Sequence, residues 1–416
     1  MIKIINKQKS VSIWCDDTTG YISASVLTNR YLQKGYEIYF YTRDSNVHII
    51  NKAFPTINVI AIQHVDNIVI NLLHHVYQIF LIPDDFSRVF KNIVKIELYG
   101  RFLSRLSSLL KVYKLNKNFI KNYQRLFKHV AFNFKTDLVI SLSRVSRPYL
   151  FVGSDAKHIA ILESWDHAMK DPWLFNPNRT MVWNKSIKSD VALHQGLSNI
   201  HQIYPTKFSY IDNTDRGFLP EDQEYKILEH YKKDVDFICS NKYVVYSMAF
   251  SDLNEKGVSG EVKFIKELID ACKIINKKLY IKPKPFFSNG LLDREFGNIK
   301  NVVIGKEPLF NNSTELLSYS YNKYRLLLVE KSELVIDIGS SFLLDSAIMG
   351  GDVLMIRVVK KGYSPLFDNR SIEKGHLKNF YKDWYDYNGD ISDLSNAILR
   401  ANDQASLNIK EWITHW

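Results

Sequence analysis

The stretch SELVIDIGSSFLLDSAIMGGDVLMI, Ser332 to Ile356, constrains the fold more than any other part of the chain. Leu334–Ile338 is a short apolar run, the pattern of a buried strand, and it enters Gly339, Ser340 and Ser341 without a spacer. A helical pattern follows over Ser341–Met349, Gly350-Gly351 stops it, and Asp352–Ile356 reads as the next strand. Strand, single crossover helix and strand make neighbours in a parallel sheet, and such a sheet is covered by helices on both faces.

The same alternation runs through the rest of the chain in two series. The first predicts strands at Val11–Cys15, Glu37–Tyr41, Val59–Ile62, Gln78–Ile82, Leu138–Ser141, His158–Leu162 and Met181–Trp183, with a helix from Gly20 to Lys34 that Gly35 ends. The second predicts Tyr243–Ser247, a helix Val262–Ile275, Lys278–Ile281, Val302–Ile304, a helix around Thr314–Ser320, and then the Ser332–Ile356 unit. The fold class is therefore α/β, with two Rossmann-like doubly wound domains facing a cleft. Expected limits are 1–235 for an N-terminal domain that carries the segment 88–135 as an insertion and 236–390 for a C-terminal domain, with Ile203–Asp236 as linker. Residues 391–416 read as helices that could cross back to the N-terminal domain. A chain of 416 residues, 46% hydrophobic, has the apolar material for two such cores.

The net charge of +11 is localised. Residues 88–135 hold twelve Lys or Arg against one acid, Glu97, so the remainder is neutral. Phe102, Leu103, Leu106, Leu109, Leu110 and Tyr113 recur there at helical spacing with the cations between them, which predicts basic amphipathic helices. Such helices pack on a core with a solvated basic face, or dock on an anionic membrane surface. No nucleic-acid signature accompanies the charge, so nucleic acid is not an expected partner. The beginning MIKIINKQKSVSIW is too polar for a signal peptide and no apolar window is long enough to span a bilayer, which predicts a cytoplasmic protein, peripheral on the inner face of the plasma membrane if residues 88–135 bind it. Cys15, Cys239 and Cys272 are widely spaced, which argues against a disulfide frame and against a metal site.

Candidate site residues lie after predicted strands. In the Ser332–Ile356 unit, Gly339 allows a sharp turn and Ser340 and Ser341 supply hydroxyls and a helix cap, a combination suited to a phosphate. LYIKPKPFF carries Lys282 and Lys284 stiffened by Pro283 and Pro285, positioned to neutralise a diphosphate or a sugar carboxylate. Glu307, in VVIGKEPLF, can accept hydrogen bonds from a ribose or base. After His158–Leu162 come Glu163, Trp165, Asp166 and His167, where a ring beside carboxylates suits a sugar. Asp16 and Asp17 follow the first strand, and a neighbouring like charge raises a carboxylate's proton affinity, as a general base requires.

Two of these segments resemble a known group of enzymes. SWDH...NRTMVWNKSIKSDVALHQG is similar to a pattern of bacterial surface-carbohydrate glycosyltransferases. DIGSSFLLDSAIMGGDVLMI is similar to the strand-Gly-Ser-Ser-helix element that they share with CDP-glycerol glycerophosphotransferases and with sialyl- and Kdo-transferases. The resemblance covers roughly residues 137–200 and 240–358. It implies the GT-B architecture, metal-independent and without cofactor, with a CMP-, CDP- or UDP-linked sugar as donor, held mainly by the C-terminal half, and a glycan or glycolipid acceptor held by the N-terminal half. Ser340 and Ser341 match the family's phosphate-binding serine pair, and Asp16 and Asp17 match its acidic pair loosely; Lys282-Pro283 or Lys284-Pro285 stands where that family has His-Pro. The expected role is that of a capsule or lipopolysaccharide glycosyltransferase. Polyol-phosphate transfer, nucleotide-sugar 2-epimerisation and a non-catalytic role in capsule assembly are the competing expectations.

Overall fold

A computed structural model describes residues 9–15, 20–62, 122, 125–128, 133–142, 148–151, 154–162, 177–195, 199–202, 219–248, 255–284, 289–309, 315, 317–340, 342–359, 380, 382–401 and 404–414. The chain divides into two compact units, Met1–Lys207 with Trp416, and Phe208–His415.

The first unit is a parallel sheet of β1 (Ser10–Trp14), β2 (Glu37–Thr42), β3 (Asn58–Ala61), β4 (Leu138–Leu142), β5 (Lys157–Ile161), β6 (Arg179–Val182) and β7 (Ile200–Gln202). Their spatial order is β3-β2-β1-β4-β5-β6-β7, and every neighbouring pair is parallel. The helix Tyr21–Gln33 ends as the sequence predicts: Gly35 has φ 74° and its amide donates to Leu32 O, the turn that a residue with a Cβ would resist. The expected strand Gln78–Ile82 and most of the basic stretch 88–135 lie outside the described residues.

The second unit repeats the topology with β8 (Tyr243–Ser247), β9 (Lys278–Lys282), β10 (Val302–Ile304), β11 (Leu334–Asp337), β12 (Val353–Val358) and β13 (Trp384–Tyr387), in the order β10-β9-β8-β11-β12-β13, again all parallel. Val244, Leu279, Ile281, Leu334 and Ile336 line one continuous core with Phe264 and Leu268 of the helix Glu255–Ile274. Each such side chain contributes about 1.5–3 kcal/mol on burial.

Three elements depart from the sequence pattern. Within the stretch 203–236 expected as a linker, the helix Glu221–Ser240 packs on the helix Tyr319–Glu330 of the second unit. Glu221, Asp222 and Glu224 complement the positive helix start, while Ile227, Tyr231, Asp234 and Ile238 are buried at helical spacing, so charge density conceals an amphipathic helix. Of the helix expected near Thr314–Ser320, Thr314 and Leu316 lie outside the described residues; beyond it a helix that the sequence reading lacks runs Tyr319–Glu330, where Ser318 caps it and Glu224 accepts from Ser318 Oγ and the amides of Tyr319 and Ser320. Finally, the helices Ile391–Arg400 and Gln404–Thr414 pack on the second unit, where the sequence pattern allows a return to the first. Leu394 and Ile398 enter the second core, Ser395 Oγ donates to Ala271 O, and Ser406 Oγ donates to Gly351 O.

Candidate functional site

In both sheets the strand order reverses direction between two strands that are not consecutive in the chain, β1 and β4 in the first and β8 and β11 in the second. Ligands of open parallel sheets bind at the carboxyl ends of strands beside such a switch point.

In the second unit that position carries three polar residues in register. Asp337, the last residue of β11, pairs with Ser247, the last of β8, which pairs in turn with Lys282, the last of β9. Register partners in a parallel sheet face the same side, so a carboxylate, a hydroxyl and an ammonium stand in a row. Asp337 is fully buried and Ser247 nearly so.

The turn beyond β11 closes around Asp337. Its Oδ1 accepts from Gly339 N at 2.7 Å and from Ser340 N at 2.5 Å, and its Oδ2 accepts from the Ser340 hydroxyl. Gly339 sits at φ 118°, which only glycine adopts without strain. Ser340 Oγ also accepts from Phe342 N at 3.2 Å, capping the helix Phe342–Ile348, and lies 3.4 Å from Ser247 Oγ. The amides of Gly339 and Ser340 turn inward to it, because a buried carboxylate must be hydrogen-bonded. Burial raises Asp337 to about 6, against the opposing pull of these donors and of Lys282.

Lys282 is the complementary group. Burial and the neighbouring Arg325 cation lower it to about 8, with Asp345 and Asp337 acting against that and Lys284 adding to it. Its ammonium lies 4.4 Å from the centre of the Phe342 ring. Arg325, on the helix Tyr319–Glu330, is also over that ring at 5.8 Å, and its Nη2 donates to Asp345 Oδ2 at 2.6 Å.

Glu307 follows β10 in a loop held by its neighbours. Its carbonyl accepts from His230 Nε2 at 2.7 Å, Lys306 N donates to Asp234 Oδ2 at 2.9 Å, and Leu309 N donates to Glu315, whose other oxygen accepts from Tyr231. These bonds fix the path of the loop beside the end of β9.

The second unit thus places Lys282, Gly339 and Ser340 together, with Lys284 near enough to Lys282 to act on its charge. Ser341 lies outside the described residues, as do Asp16, Asp17, Glu163, Trp165, Asp166 and His167. In the motif containing the last three, Asn184 is described and acts locally, since its side chain accepts from Ile187 N at 2.9 Å and caps the helix Lys185–Gln195. Sequence reasoning misses Ser247, Asp337, Arg325 and Asp345. An acid ending the apolar run VID is a signal for Asp337, whereas Arg325 and Asp345 sit within helical patterns that nothing marks.

Among the described residues no helix is long and apolar enough to cross a membrane. No protein-family model matches the chain, and no curated protein sequence matches it. Among solved structures, UGT89C1 of Arabidopsis thaliana complexed with UDP is similar at a TM-score of 0.50 with 11% identity, over 98% of this chain and 94% of that one. UDP-GlcNAc 2-epimerase of Methanocaldococcus jannaschii, in complex with UDP-GlcNAc and UDP, has a TM-score of 0.48 with 11% identity, over 95% and 94% of the two chains. MurG of Acinetobacter baumannii has a TM-score of 0.42 with 11% identity, over 98% and 95%. The likeness to the Arabidopsis structure shows the fold, two Rossmann-like domains, as the two parallel sheets do by themselves.

Proposed function

We propose that the protein is a metal-independent glycosyltransferase that moves a sugar from a CMP-, CDP- or UDP-linked donor to a surface-polysaccharide or lipid-linked glycan acceptor. The observation that carries this reading is the row Asp337–Ser247–Lys282 at the switch point of the second sheet, with the Gly339-Ser340 turn over it. The fold shared with a structure complexed with UDP supports it, and so does the sequence resemblance to surface-carbohydrate transferases.

Glycosyl transfer needs a base at the acceptor and a stabiliser of the departing phosphate. The acceptor hydroxyl gives its proton to Asp16 or Asp17 and its oxygen bonds to the sugar's anomeric carbon. The bond from that carbon to the donor phosphate breaks, and the electron pair leaves with the nucleotide. Lys282, Lys284, Ser340 and Ser341 take up that charge, while Glu307 meets the ribose or base. Trp165 and His167 receive the acceptor, with Glu163 and Asp166 beside them. The basic segment 88–135 holds the enzyme to an anionic inner leaflet, where a lipid-linked acceptor lies.

A thermal-shift panel of CMP, CDP, UDP, GDP and their sugar conjugates tests the reading, because a ligand specific for the folded state raises its melting temperature. Stabilisation by one nucleotide family, lost in the Ser340→Ala/Ser341→Ala double variant, is expected; no shift with any of them moves the protein to a non-catalytic role in capsule assembly. Near-full transfer by both Asp16→Asn and Asp17→Asn would pass the base role to Glu163 or Asp166.

A further inference from the structure

The cluster around Lys282 is unevenly paired. Asp337 spends both oxygens on the turn, accepting from Gly339 N, Ser340 N and Ser340 Oγ. Asp345 spends Oδ2 on Arg325. Arg325 and Asp345 are both largely shielded, with side-chain exposures of 7% and 16%, so this pair is held by more than surface attraction. Lys282 has a ring for company and, among the described residues, no hydrogen bond or ion pair from its ammonium.

A lysine stem is flexible and ordinarily swings to the nearest carboxylate. Among the described residues the nearby one that is not locked into the turn is Asp345, and its Oδ2 is held by Arg325. We infer that Arg325, clamped by Asp345 and sharing the Phe342 ring with Lys282, is a positioning residue that denies Lys282 an internal counter-ion and keeps its ammonium available to a phosphate. This rests on the nucleotide reading of the site in so far as the phosphate belongs to a nucleotide.

Among the described residues, the charged groups facing Lys282 are Arg325 from the helix Tyr319–Glu330, Asp345 from the helix Phe342–Ile348, Asp337 from β11, and Lys284 from the segment after β9. Their signs dictate the outcome of substitution. Arg325→Met removes a cation and releases Asp345, so both changes favour the charged lysine and its titration moves up. Binding of phosphate weakens at the same time, because the ammonium turns to Asp345. Asp345→Asn removes an anion and leaves Arg325, so the titration moves down. Arg325→Lys keeps a cation beside Asp345 and stays near the wild type. A residue that merely supports packing gives no such opposed pair.

Competitive acylation of the full-length protein with acetic anhydride between pH 6 and 10, read lysine by lysine by mass spectrometry, measures this without any ligand. Lys282 in the wild type is expected to half-titrate near 8. Arg325→Met should raise that midpoint by about half a pH unit or more, and Asp345→Asn should lower it by a similar amount. An unchanged or lowered midpoint in an Arg325→Met protein that melts like the wild type overturns the inference. Should Arg325→Met fail to fold, Asp345→Asn with Arg325→Lys decides it, since an unmoved or raised midpoint in Asp345→Asn overturns it equally. The same labelling repeated with UDP, CDP or CMP present separates the two levels: several-fold protection of Lys282 is expected from one of them. Opposed shifts without protection by any nucleotide overturn the nucleotide reading and uphold Arg325 as the residue that keeps Lys282 unpaired.

Discussion

The two sheets share one strand order through their first six positions, yet the residues beside their switch points differ in kind. Near the end of β4 in the first unit, Ser141 lies 2.7 Å from His158 Nε2, and His158 stacks on Phe151 at 4.4 Å between ring centres. Burial lowers His158 to about 3, so it is neutral near pH 7, and Trp14, at the end of β1, packs among Tyr41, Phe134 and Phe151. In the second unit the equivalent position holds Asp337 and Lys282, each shifted by burial toward its neutral form. Topology therefore supplies the place in both units, and side-chain chemistry decides its use. The described part of the first place is spent on packing, whereas the second keeps charges that packing alone would not select.

Acid should separate the units most. With His158 at about 3 when folded and near 6.5 when unfolded, the unfolded state takes up the proton first, so the first unit loses stability as pH falls below about 6.5. Between pH 6.5 and 4.5 the loss should approach about 1.4 kcal/mol per pH unit, read by hydrogen exchange in β4 and β5 and absent in His158→Gln. Equal sensitivity in that variant would show that the dependence comes from elsewhere. Next in size is Lys282→Met, which should weaken nucleotide binding by about tenfold to a hundredfold in calorimetry, the range for losing a charged hydrogen bond. Its melting temperature should hold or rise, because an ammonium at about 8 instead of 10.5 is a cost that the fold carries at neutral pH; a lower value would make this lysine a packing residue like those of the first unit. Ser141→Ala should then destabilise the first unit by about 1 kcal/mol while leaving nucleotide affinity unchanged. The smallest effect is expected of Asp337→Asn, a rise of a degree or two in the melting of the second unit at pH 7.5. That gain should fade as pH falls through 6 toward 3.8, where the native carboxylate takes up its proton and no longer penalises folding.

Most strands were legible because a parallel strand is apolar on both faces and stands out as a run, as in Leu334–Ile338 or Tyr243–Ser247. Elements that are half solvent-exposed were not: the short edge strand Trp384–Tyr387 has a part-buried Tyr385 and an exposed Asp386 between buried Trp384 and Tyr387, and Glu221–Ser240 has so many charges that its buried Ile227, Tyr231 and Ile238 are easily passed over. The site divides the same way. Gly339, Ser340 and Lys282 sit where a strand visibly ends, and sequence finds them. Arg325 reaches the cluster from a helix whose true start depends on Glu224, 95 residues before Tyr319, and no local pattern carries that information.

The row Asp337–Ser247–Lys282 also says what kind of change this protein can absorb. Adjacent strands are about 4.8 Å apart, so the row is a ruler of roughly 10 Å laid across three strands that meet only through pairing. Lengthening a connecting loop leaves the ruler intact. Removing one residue from within β8, β9 or β11 turns its marker to the opposite face and dissolves the row while the sheet itself persists. Loops are thus the places where such a chain can vary freely in length, and the interiors of three short strands are where its chemistry is inherited.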